Sequence, residues 1–188
     1  MDIANALNIS PGNLYYHFKG KDAIIHALYD DFEEEMMIIL RGSRGAITSI
    51  QDTWVYIYII LEEIYDFRFF YQNLAALLVR YPDLARRFEK LLNEKRTAIQ
   101  SMLGDLQSGG LISIDPSMKD MLEEQMLMIA TCWLSMDQIQ GKHLPSDQLI
   151  HRTVYQMSTL IIPFMGEAGF GALKAMTAYY RAATEQAD

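Results

Sequence analysis

Residues 9 to 21, Ile-Ser-Pro-Gly-Asn-Leu-Tyr-Tyr-His-Phe-Lys-Gly-Lys, hold the densest set of side chains suited to meeting a polyanion. Phenol, imidazole and ammonium groups donate to phosphate oxygens, and an asparagine amide can read an adenine edge with two hydrogen bonds. Ser10 followed by Pro11 reads as the N-cap and first residue of a helix. That helix sets Leu14 and Phe18 four apart on an inner face and carries Asn13, Tyr15, Tyr16 and His17. A second set is aromatic. Trp54, Tyr58, Leu61, Tyr65 and Phe69 recur at helical spacing, and residues 117 to 139 add Met118, Met121, Met126, Met128, Trp133 and Met136. Aromatics with methionines form an adaptable apolar wall, suited either to a hydrophobic or aromatic ligand or simply to a core. Glu62 or Gln125 is the nearest candidate for a polar contact.

Other chemistry finds little support. Asp30-Asp31-Phe32-Glu33-Glu34 mimics an acidic Mg²⁺-diphosphate motif, but no second metal motif accompanies it, and it reads as a solvated acidic stretch. The glycines from Gly166 to Gly171 follow a helix rather than a strand, so they mark a turn and not a nucleotide loop. His143 and His151 lack zinc-ligand spacing, and Cys132 has no partner set. No catalytic triad or carboxylate pair is arguable, so the expectation is no enzyme, no metal and no cofactor.

The elements that position these residues are helices nearly throughout. The pattern predicts helices over 21–40, 49–80, 82–107, 115–139, 146–165 and 169–184, separated by Gly, Ser and Pro signals. The fold class is therefore all-α, with a small helical head at 1–40 and a larger body at 41–188. The net charge of −8 at first argues against a nucleic-acid partner. Its distribution does not: Lys19 and Lys21 balance Asp2 and Asp22 within residues 1–28, so the excess lies in the body, which would face away from phosphates. The longest apolar run, Trp54 to Leu61, is too short to span a bilayer, and no basic-then-apolar leader opens the chain. With one cysteine there is no internal disulfide, and a cytoplasmic location is expected.

The string Leu-Tyr-Tyr-His-Phe-Lys-Gly-Lys at 14–21, with its flanks from Asp2 to about Phe32, resembles the TetR/AcrR family of transcriptional regulators. Looser likeness continues at Arg68-Phe69-Phe70-Tyr71-Gln72-Asn73-Leu74 and Pro82-Asp83-Leu84-Ala85-Arg86-Arg87. The resemblance implies a helix-turn-helix in which Pro11, Gly12, Asn13 and Tyr16 meet bases while Tyr15, His17 and Lys21 meet phosphates. Asn13 departs from the family's common threonine, so sequence preference should differ. The resemblance also implies a body that binds a small hydrophobic ligand, with Trp54, Tyr58, Leu61, Tyr65, Phe69, Met126 and Trp133 as candidate lining. A homodimer through residues 147–184 would present two recognition helices to a palindrome on double-stranded DNA.

The expected function is a ligand-responsive regulator, a repressor released from its operator by an apolar effector. The alternative is a dimeric small-molecule sensor without DNA binding. It stays open because the family's head has three helices and this sequence starts inside the second. Either roughly 25 to 35 residues precede Met1, as a three-helix unit requires, or the head is defective.

Overall fold

The computed structural model describes residues 3–42, 45, 47–141 and 144–185, with side chains of 168 and 179–185 excepted; His143 lies outside them. The elements in chain order are α1 (Ile3–Ala6), α2 (Pro11–His17), α3 (Lys21–Gly42), α4 (Ile50–Asp66), α5 (Arg68–Gln72), α6 (Leu74–Arg80), α7 (Pro82–Ser108), α8 (Pro116–Gln140), α9 (Ser146–Thr159) and α10 (Glu167–Glu185), with a 3₁₀ turn at Ile162–Phe164. No strand ladder forms among the described residues; a single antiparallel bridge joins Ile112 to Met165.

The helix ends follow local chemistry. Ser10 and Ser49 accept from the backbone N–H of Asn13 and Asp52, and Asp115 accepts from that of Ser117 before a proline at N1. Gly141 closes α8 in the left-handed conformation (φ 64°), where a side chain would be strained. Pro163 falls in the 3₁₀ turn, so the helix expected over 146–165 stops at Thr159.

The continuous helix expected over 49–80 is three helices. Its breaks at Phe67 and Asn73 carry neither glycine nor proline. The Asn73 side-chain amide donates to the Phe69 carbonyl at 2.9 Å, an alternative to continuing the helix. The break at Phe67 folds α5 back so that Phe67, Phe70 and Tyr71 meet Phe32 of α3, with ring centroids 5.3, 6.3 and 5.8 Å apart. Burying this aromatic group offsets the lost helical hydrogen bonds.

α3 joins head to body. Ile25, Tyr29, Phe32, Met36 and Leu40 recur every three or four residues and are buried in the body core. The helix that follows α2 is thus packed on the body along most of its length. α9 turns its apolar face, Leu149, Ile150, Val154 and Met157, inward, where it packs on α4. That face is spent within the chain.

Candidate nucleic-acid interface and internal cavity

α2 is short, capped and displayed. Phe18 ends it in extended conformation, its N–H bonded to the Leu14 carbonyl, and Gly20 (φ 113°) makes the turn into α3. Pro11, Gly12, Asn13, Tyr15, Tyr16, His17 and Lys21 are all exposed, with Tyr15 62% and Tyr16 76% accessible. The Lys19 ammonium lies over the Tyr15 ring at 4.8 Å, and Tyr16 and His17 pack edge to face. Tyrosines displayed this fully on a helix with few apolar neighbours contribute little to a core. Behind them the head is open. Leu7 is 60% exposed, and an apolar groove of about 250 Å³ runs past Ile3, Leu14, Phe18 and Ile24.

The head is held to the body by a polar ladder between α3 and the α6–α7 segment. Asp22 accepts from the Tyr81 hydroxyl at 2.6 Å and pairs with Arg80 at 3.1 Å. Arg87 bridges Asp30 and Glu33 at 2.7 and 2.6 Å, and Arg41 reaches Glu94 at 3.5 Å. The acidic stretch at 30–34 is therefore partly engaged by Arg87 rather than simply solvated. The ladder runs from Asp22 to Arg41, roughly 30 Å of helix. The Tyr81 hydrogen bond, foremost, and Arg80 hold the Asp22 carboxyl below its ordinary pKa.

His26 is the titrating rung. Its Nδ1 lies 2.7 Å from the Asp22 carbonyl oxygen and its Nε2 lies 2.8 Å from an Asp83 carboxylate oxygen. Both partners are acceptors, so both are satisfied only when both ring nitrogens carry protons. The pKa is raised above 6.5, first by the Asp22 carbonyl and then by Asp83. This rung is fully present below pH 6.5 and is lost as pH rises through the raised value. NMR titration is expected to place the His26 pKa above 6.5 and to find it lowered in Asp83→Asn. An unshifted value unaffected by that change would remove the rung.

The other face of α7 lines an internal cavity with α4 and α8. Leu40, Ile57, Leu61, Met102, Met126 and Met157 are among its walls, and the enclosed space is about 20 Å³, room for about one water. Of the residues expected to line a ligand site, Leu61 and Met126 line this cavity. Trp54 and Tyr58 instead stack on His151 of α9 at 6.5 and 4.9 Å. Tyr65 meets Trp133 at 6.4 Å, and Phe69 lies on α5 against Phe70. Glu62 and Gln125 face solvent.

The wall also holds a lysine, Lys95, which the aromatic pattern does not reveal. It is 2% exposed, and its Nζ donates to the Tyr71 hydroxyl at 2.5 Å. Desolvation pulls its pKa down to about 7. Nearby in α4, burial foremost and then the charge of Glu35 push Glu63 up to about 7.

Four methionines expected in the ligand wall face outward. Met118, Met121, Met128 and Met136, with Cys132 and Ile139, fall on one exposed face of α8, Ile139 being 80% accessible. A row of apolar residues over some 20 positions of one exposed helix face departs from the singly scattered apolar residues of an ordinary surface. Among the described residues no helix is long and apolar enough to cross a membrane, and no acidic, His or Cys cluster is built to hold a metal.

Known proteins resemble the chain over both parts. A family model described as bacterial regulatory proteins, tetR family, matches residues 1–28, and one described as bacterial transcriptional repressor, TetR, matches residues 31–173. The crystal structure of a TetR-family transcriptional regulator from Marinobacter aquaeolei VT8 is 26% identical, covers 95% of this chain and 86% of its own, and superposes with a TM-score of 0.82. No curated protein matches the chain.

Proposed function

Because the chain belongs to the TetR family of bacterial transcriptional regulators, we propose that it is a repressor whose hold on a palindromic operator is released by a small apolar effector bound in the body. The observation that carries this reading is the double duty of α7. One face, through Asp83, Arg87 and Glu94, grips the helix that follows the recognition segment; the opposite face, through Lys95, Ala98 and Met102, lines the cavity. An effector larger than one water must push the cavity walls apart, and a shift of α7 is handed to α3 by the ladder. Each recognition helix then moves relative to its copy and no longer fits successive major grooves. A preference of about 1.4 kcal/mol for the displaced shape lowers operator affinity tenfold.

In this reading Pro11, Gly12, Asn13 and Tyr16 meet base edges, and Tyr15, His17 and Lys21 meet phosphates. The head of residues 1–40 and the body of 41–188 share α3. The functional unit is a homodimer. Residues 147–184 contribute through the outer side of α10, where Phe170 is exposed, and the methionine face of α8 supplies the rest of the contact. The double substitution Met128→Glu and Ile139→Glu is expected to yield a folded monomer by sedimentation velocity, with operator affinity reduced at least tenfold. A dimer that survives both changes would place the interface elsewhere.

The second reading is a dimeric sensor without DNA binding. Fluorescence anisotropy on DNA from upstream of the protein's own gene separates the two. The regulator reading expects specific, salt-dependent binding of a dimer. Binding no tighter than to scrambled DNA supports the sensor.

A further inference from the structure

Lys95 occupies a position where an apolar side chain would serve the core better. Its amine is buried among Leu40, Ile57, Leu61, Met102 and Met126 on the cavity wall. Among the described residues no carboxylate pairs with it. Its one hydrogen-bond partner is the neutral Tyr71 hydroxyl, whose ring also lies 4.9 Å from the ammonium. An ammonium has three protons to donate, and among the described residues it meets one acceptor, the Tyr71 hydroxyl. A buried cation without a counter-charge is costly, so the free protein carries an electrostatic deficit at this point. Apart from the Tyr56 phenol, the rest of the wall is hydrocarbon and thioether, able to rearrange around a chain or ring.

We propose that Lys95 is the anion-binding group of this cavity and that the ligand it takes is a lipophilic carboxylate, the acid group paired with the amine and the apolar body lodged among the methionines. This rests on the reading of the cavity as the effector site and adds the ligand's chemical class. A carboxylate supplies two acceptor oxygens and the missing charge in one group, and pairing in a dry site is strong when both partners are hydrogen-bonded. A neutral apolar molecule would leave the amine as costly as before. The cavity is nearly closed when empty, so the Lys95 deficit also gives the acid, rather than any greasy molecule, the means to open it.

The test uses decanoate and its methyl ester as probes of the 188-residue protein, by calorimetry and by fluorescence of Trp54 and Trp133. Decanoate is expected to bind at least tenfold more tightly than the ester, and Lys95→Met is expected to abolish or reverse that preference. Equal binding of acid and ester, an unchanged preference in Lys95→Met, or binding of neither probe overturns the proposal. The acid-against-ester comparison on the unmodified protein stands even if the variant misfolds. Operator affinity is measured in the same samples: acid-selective, Lys95-dependent binding that leaves it unchanged keeps the carboxylate site and refutes the regulatory reading instead.

Discussion

Lys95→Met is expected to raise the stability of the protein at neutral pH by roughly 1–4 kcal/mol, the gain seen when buried charges give way to packed hydrocarbon. For a chain of this size that is a rise of roughly 2–15 °C in Tm. The pH profile should change as well. In the native protein the Lys95 pKa is pulled down to about 7, against an ordinary value of 10.5. Between these values the unfolded chain binds the proton and the folded chain does not, so stability rises with pH across that window. Glu63 acts oppositely, because its pKa is pushed up to about 7 from 4.5. From 4.5 to 7 the folded chain holds the extra proton, so stability falls as pH rises. Together they predict a trough near pH 7 in urea unfolding followed from pH 4 to 10. Lys95→Met should erase the alkaline limb and Glu63→Gln the acid limb. A flat profile in the unmodified protein would mean that neither group is as dry as its position implies.

Lys95 was legible in principle. Leu84, Phe88, Leu91, Lys95, Ala98 and Met102 follow one another at spacings of four and three, and a lysine at a core position of such a row is the signal. The longer aromatic stripe of residues 54 to 69 is the stronger pattern and masks it. The recognition segment was legible because its cap, proline and displayed tyrosines are local features. The cavity wall was not, because helix facing depends on where a helix breaks. With no glycine or proline at Phe67 or Asn73, the row from Trp54 to Phe69 reads as one stripe, whereas the fold turns its members toward His151, Trp133 and Phe70. The α3–α7 ladder joins residues more than 50 positions apart, and no spacing rule pairs Arg87 with Glu33.

Lys21→Ala and Asn13→Ala are expected to weaken DNA binding in different ways. On the proposed division of roles, loss of the exposed Lys21 ammonium would remove one phosphate contact, so affinity should fall for every sequence and the slope of log K against log salt should flatten by about 0.9. Loss of the Asn13 amide should leave that slope intact. It should instead change discrimination at one base pair by roughly 1–3 kcal/mol. Parallel effects in both variants, measured by anisotropy on operator and mutated operators at several salt concentrations, would refute the division of roles.

The central claim is that the state of the cavity sets the state of the head. Ala98 lies on the cavity wall in α7, nearly fully buried. A larger side chain there acts as a built-in wedge between α7 and α4. The most direct measurement is the operator affinity of Ala98→Phe, or the milder Ala98→Leu, against the unmodified protein by anisotropy at one salt concentration, with fold and dimer verified by circular dichroism and sedimentation. The account predicts at least a tenfold loss of affinity with no ligand present. A wedged, folded dimer that grips the operator as tightly as before would contradict it.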